Sequence, residues 1–178
     1  MKIVWAILLG GLAAGALDIL YAFIVYGPLS YGITPQQVLQ SVAAGWIGRE
    51  ASRAGGMEAA FLGLGTHFMI ATLMAAIYVL VALRIAALTR QAVLSGLLYG
   101  LSLYVAMNYV VVPLSAAATG AFATPSEIAP RLQESFNEVR GGGGEQYPWM
   151  LAGTIFTHTV LVGLPIALIA KRFVGQKT

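Results

Sequence analysis

The chain has 178 residues, of which 58% are hydrophobic and only 10% charged, and its mean hydropathy is +0.80. About a quarter of an average soluble domain is charged, so these few charges cannot cover a water-facing globule, and the same figures exclude intrinsic disorder. The absence of cysteine excludes a disulfide scaffold, a Cys-ligated zinc site and a thiol nucleophile, and a scattered formal charge of +3 is no nucleic-acid footprint.

A helix needs about 20 mostly apolar residues to cross a bilayer. The first such run is Ile3 to Tyr26. Its start, Lys2 followed by apolar residues and Ala14-Gly15-Ala16, has the form of a cleavable signal peptide. Apolar character resumes after Asp18 and continues through Val25, so a retained span is expected. Thr34-Pro35-Gln36-Gln37 then reads as a helix-opening capping box, with proline at the first helical position. Val38, Val42 and Trp46 follow on one helical face. The second and third runs are Glu58 to Leu83 and Gln91 to Ser115. Thr124-Pro125-Ser126-Glu127 opens another short helix, with an apolar stripe of Ile128, Leu132, Phe136 and Val139. Gly141 to Gly144 reads as its end and as a flexible linker. The fourth run is Trp149 to Ala170.

Barrel strands would alternate in polarity, and these runs do not. The expected fold is one integral membrane domain over residues 1–178: an all-α bundle of four transmembrane helices with two short amphipathic helices on the outer face. Those two helices would lie on the bilayer surface or lid the bundle. Lys2, Arg84, Arg90, Lys171, Arg172 and Lys177 fall on one side of the spans, without acids. Arg49, Arg53, Arg131 and Arg140 share the other side with Glu50, Glu58, Glu127, Glu134, Glu138 and Glu145. The base-only side should be cytoplasmic, with both termini inside. Tyr26, Tyr31, Trp46, Tyr147 and Trp149 sit at or near the outer span ends, as interface aromatics do.

The spans repeat. Gly11-Leu12, Gly15, Val25 and Pro28-Leu29-Ser30 recur as Gly96-Leu97, Gly100, Val110 and Pro113-Leu114-Ser115. Each copy leads to a Thr-Pro helix and then to a Thr-His pair, Thr66-His67 and Thr157-His158. This order predicts a tandem duplication, with half-repeats about 3–83 and 91–170 related by a pseudo-twofold axis along the membrane normal.

Each span carries one strong polar group, and polar groups inside a membrane are costly. Asp18, His67, Asn108 and His158 stand seven to nine residues from the outer ends of their spans, or roughly 10–14 Å deep at 1.5 Å per residue. Gly11, Gly15 and Asp18 share one helical face, as do Gly63 with His67 and Thr154 with His158, so the polar groups should point inward. Asp18, His67 and His158 match a divalent-metal ligand set such as that for zinc, iron or manganese, with Asn108, Thr66 and Thr157 around them. The two histidines could also bind a haem iron axially. The same groups suit a pathway for protons or a small solute, or a hydrogen-bonded plug that only fixes helix packing. No phosphate loop, HExxH or Gly-x-Ser-x-Gly motif points to an enzyme. The partners expected are the bilayer and either a second copy, through the Gly11/Gly15 or Gly96/Gly100 faces, or a larger membrane complex in which the chain is a structural or accessory subunit.

Gly11 to Tyr21, Val38-Leu39-Gln40-Ser41, Thr66-His67-Phe68, Met107-Asn108-Tyr109 with Val112-Pro113-Leu114, and Val162-Gly163-Leu164-Pro165 together resemble a set of small four-span bacterial inner-membrane proteins. The layout is more distantly similar to the YagU-like inner-membrane family, which also carries histidine in corresponding spans. The resemblance covers most of the chain outside Ala116 to Tyr147. It implies an inner-membrane location and four-span topology. It transfers no catalytic residue, because that set has no accepted substrate.

Overall fold

The computed structural model describes residues 1–175. Lys177 of the base-rich side lies outside the described residues. The α-helices are α1 (Lys2–Tyr26), α2 (Pro35–Ile47), α3 (Arg49–Ala54), α4 (Gly56–Ala82), α5 (Ala87–Arg90), α6 (Ala92–Val105), α7 (Val112–Leu114), α8 (Ala116–Thr119), α9 (Pro125–Phe136), α10 (Met150–Phe156) and α11 (Leu164–Val174). Four helical stretches, Lys2–Tyr26, Gly56–Ala82, Ala92–Leu114 and Met150–Val174, are long and apolar enough to cross a membrane. This is the architecture of a multi-pass helical membrane protein. Large apolar side chains such as Leu12, Phe61, Leu73 and Leu98 are exposed, while alanines fill the core. A water-soluble protein distributes size the other way.

The described residues divide into two compact units, and the division cuts across the half-repeats. One holds residues up to Tyr21, His67–Tyr104 and the chain from Ile155 onward; the other holds Ala22–Thr66 and Val105–Thr154. In the first unit the core is Ala6, Ala14, Ala75, Val79, Ile166, Ala167 and Ala170. Small residues let helix backbones approach in lipid. A Cβ on Gly11 would stand 2.6 Å from the Thr72 backbone, and one on Gly100 would stand 2.1 Å from the His158 carbonyl oxygen. Gly96 likewise meets Gly163 and Ala167. The glycine faces expected to bind a second copy are therefore used inside the chain. Tyr78 Oη donates to the Leu88 carbonyl at 3.0 Å, and Tyr99 Oη donates to the Met74 carbonyl at 2.7 Å.

The third and fourth spans depart from the expected continuous α-helix. Ala106–Val111 and Thr157–Gly163 are π-helical. Proline explains the location. Pro113 and Pro165 have no N–H, and in an α-helix their rings would press on the carbonyl four residues earlier. A widened turn just before each proline relieves that clash, and such turns are frequent at functional sites. In the second unit the Tyr109 carbonyl, four residues before Pro113, accepts a hydrogen bond from Ser135 Oγ at 3.1 Å. The spans of the first half, α1 and α4, carry no π turn. The two Thr-His pairs thus sit in different backbones.

The second unit also holds both Thr-Pro helices, and with them the short helices α3 and α8, which the sequence does not predict; the equally short α5 belongs to the first unit. The α2 capping box is complete: Thr34 N–H donates to Gln37 Oε1 at 2.8 Å and Gln37 N–H donates to Thr34 Oγ1 at 3.3 Å. Gln40 is buried and its amide donates to the Gly56 carbonyl at 3.0 Å, pinning the turn into α4. Trp46 is half-exposed, but its indole N–H donates to Thr66 Oγ1 at 2.9 Å.

In α9 the expected stripe packs in part: Leu132 is half-buried and the Phe136 ring stacks on Tyr109 with centroids 5.2 Å apart. Ile128 and Phe136 are exposed, Val139 lies past the helix end, and Ser135 is the buried residue. The Ser135 hydroxyl bond to the Tyr109 carbonyl and the Phe136 ring on the Tyr109 ring together hold this helix. The Gly141–Gly144 segment is no free linker either. A Cβ on Gly143 would stand 2.4 Å from Tyr147 Cβ, and the Gly141 carbonyl accepts from Thr154 Oγ1.

The α9 cap makes one pH prediction. The Thr124 backbone N–H, then its hydroxyl and Arg131, hold the Glu127 carboxyl down to about 2 from an ordinary 4.5. A carboxyl depressed in the folded state contributes stability in full above its unfolded value and loses it as pH falls toward the folded one. The α9 start should therefore keep its cap at pH 4.5 and lose it near pH 2. An NMR titration of the Thr124 amide should inflect near pH 2, and an inflection near 4.5 would contradict the cap.

Candidate functional site

Asp18 on α1, His67 on α4 and His158 at the start of the second π turn all belong to the first unit. Gly15 creates the junction of α1 with α4. A Cβ there would press to 2.8 Å from the Phe68 ring and 3.3 Å from Ala71 Cβ, so its absence lets the helices close. His67 Nε2 then lies 2.8 Å from the Gly15 carbonyl oxygen. A carbonyl only accepts, so Nε2 is the donor and carries a hydrogen. The other ring nitrogen, Nδ1, faces Asp18 Oδ2 at 3.9 Å. That separation suits an ion pair or a bridging water rather than a direct hydrogen bond.

This geometry limits the protonation states. With Nε2 already protonated, a neutral imidazole turns its Nδ1 lone pair toward Asp18. A lone pair facing an ionised carboxylate is repulsive. Without a bridging water that donates to both, the favourable states are a neutral ring with a protonated carboxyl, or an imidazolium with a carboxylate. Each holds one proton between Nδ1 and Oδ2, and each is neutral overall. The His67 side chain is 12% exposed and that of Asp18 31%, so the carboxyl is the more open end of the pair.

His158 lies in the same unit, on the fourth span. Its ring meets Tyr104 edge-on, with centroids 5.9 Å apart. Its carbonyl packs on Gly100, one turn before Tyr104 on the same face of α6. The partnership is foreshadowed by the Gly100–Tyr104 spacing, which the sequence reading did not use. The Gly15 carbonyl is the other participant it missed, and no side-chain pattern announces a backbone acceptor.

The surrounding groups behave differently from the expectation. Thr66 and Asn108 belong to the second unit. Thr66 is occupied by the Trp46 indole. Asn108 is half-buried within the first π turn. Thr157 is 4% exposed, and its Oγ1 has no hydrogen-bond partner among the described residues.

Among the described residues no group of three or more His, Cys, Asp or Glu side chains is arranged to hold a metal ion. The expected Asp18, His67 and His158 ligand set is not assembled. His67 Nε2 is engaged with a carbonyl, which also removes it as an axial haem ligand through that atom. Asp18 and His67 are the two titratable side chains that the structure brings within 4.0 Å of each other here.

No known protein family model matches this chain, and no curated protein or solved structure is similar to it.

Proposed function

We propose that the chain is a bacterial inner-membrane protein with both termini cytoplasmic, which holds one exchangeable proton at Asp18–His67 and passes protons, or a small solute coupled to them. The observation that carries this reading is the His67 Nε2 bond to the Gly15 carbonyl, with Nδ1 turned to Asp18. An ionisable pair kept inside a membrane span is costly unless it serves a pathway or a fixed contact. The π turn on the fourth span carries His158, the second histidine of the same unit. The distribution of bases supports the orientation: Lys2, Arg84, Arg90, Lys171 and Arg172 share one side without acids. The resemblance to four-span bacterial inner-membrane proteins supports the location.

A second reading is favoured by the same hydrogen bond. His67 ties α4 to α1 through a backbone carbonyl, which suits a structural or accessory subunit whose polar groups only fix packing. Liposomes loaded with a pH-sensitive dye separate the two. Under an imposed pH gradient, wild-type protein should carry protons. Asp18→Asn should lower that flux at least tenfold, with the protein still folded. Wild-type liposomes that hold the gradient as well as empty ones would leave the accessory reading standing.

A further inference from the structure

The second unit contains a cavity of about 590 Å³ between α2, α3, α7 and α8. This volume falls in the range of small-molecule sites, about 300–1,000 Å³. Its polar lining is rich in donors. Arg49 and Arg53 reach it from successive turns of α3, and Gln37 from the first turn of α2. Gln37 Oε1 already accepts from the Thr34 N–H, so the end of its side chain left for a ligand is the amide donor.

The two arginines stand out by their pairing. Arg131 and Arg140 each lie within 4.0 Å of a carboxylate, Glu127 and Glu138. Arg49 and Arg53 have no such partner among the described residues. Like charges four residues apart on a helix repel, and a shared anion converts that repulsion into attraction. Two guanidinium forks and an amide suit a tetrahedral oxyanion with several acceptor oxygens better than a planar carboxylate with two. The rest of the cavity is lined by apolar atoms, including Ile33, Ala44 and Val112. A bare ion would leave that part unfilled.

We infer that this cavity binds a phosphate group carrying an apolar body, held by Arg49, Arg53 and Gln37. The site is separate from Asp18–His67 and does not depend on it. Two sources share this chemistry, a lipid headgroup and a soluble organic phosphate. Full-length protein in neutral detergent should be titrated with dihexanoyl phosphatidylglycerol and, separately, with inorganic phosphate, and binding followed by calorimetry. Saturable binding of the lipid at least tenfold tighter than inorganic phosphate supports the site and assigns a headgroup. Saturable binding of inorganic phosphate of equal or greater strength supports the site and assigns a soluble phosphate. Arg49→Gln/Arg53→Gln should weaken either ligand at least tenfold, with an unchanged melting temperature. Arg49→Lys/Arg53→Lys, which keeps charge but not the forks, should fall between. Absence of saturable binding to wild type, or equal binding by the double glutamine variant, would overturn the inference.

Discussion

Gly63→Ala should lower stability by about 3 kcal/mol, equivalent to roughly 6–12 °C in melting temperature for a chain of this size. The new Cβ would stand 1.9 Å from the Leu39 carbonyl oxygen and 3.2 Å from the Ala43 backbone nitrogen. Both neighbours are backbone of α2, so no rotamer change can clear the way. The helix must lift, and the Trp46 indole bond to Thr66 should go with it. Gly65→Ala is the control. Nothing lies within 4 Å of its Cβ, so alanine should be neutral or gain up to about 1 kcal/mol of helix propensity. Thermal unfolding in detergent of both variants checks this. Equal effects at the two positions would show that α2 does not seat on Gly63.

The second large effect is a rescue. His67→Ala should cost about 1–3 kcal/mol, because it removes the hydrogen bond to the Gly15 carbonyl and leaves the half-buried Asp18 without its partner. Adding Asp18→Asn to His67→Ala should restore part of the loss, since it removes the carboxyl that lost its partner. Two substitutions that merely cut independent packing contacts would add instead. Melting temperatures of the two single variants and the double variant give the coupling. A double variant less stable than His67→Ala alone would contradict the pairing.

Much of the fold was readable because it rests on local patterns. The first span begins and ends within a residue of its apolar run, Ile3 to Tyr26 against Lys2–Tyr26. Thr34 and Thr124 open helices where their capping boxes predict. The features that were not readable depend on partners far along the chain. Pro113 marks a disturbed turn, but the π turn also depends on what the Tyr109 carbonyl meets, and that is Ser135, 26 residues later. The four glycines from Gly141 read as slack chain, yet one lets Tyr147 and Met150 close in and another accepts from Thr154. Gly96 and Gly100 announce a close helix contact without saying whether the partner lies in the same chain or another. At the site, the sequence could place Asp18 and His67 only at a shared depth. It could not say which ring nitrogen faces the carboxyl, because that is decided by the Gly15 carbonyl.

The central claim is that Asp18 and His67 hold one proton between them, with Nε2 permanently protonated. Nitrogen-15 NMR of His67, recorded with infrared spectra of the Asp18 carboxyl on the same sample, tests it most directly. At neutral pH the account predicts a protonated Nε2, and either a protonated Asp18 with a bare Nδ1 or an ionised Asp18 with a protonated Nδ1. Asp18→Asn should change the state of Nδ1 and leave Nε2 protonated on the Gly15 carbonyl. A bare Nε2, or an ionised Asp18 beside a bare Nδ1, would contradict the account.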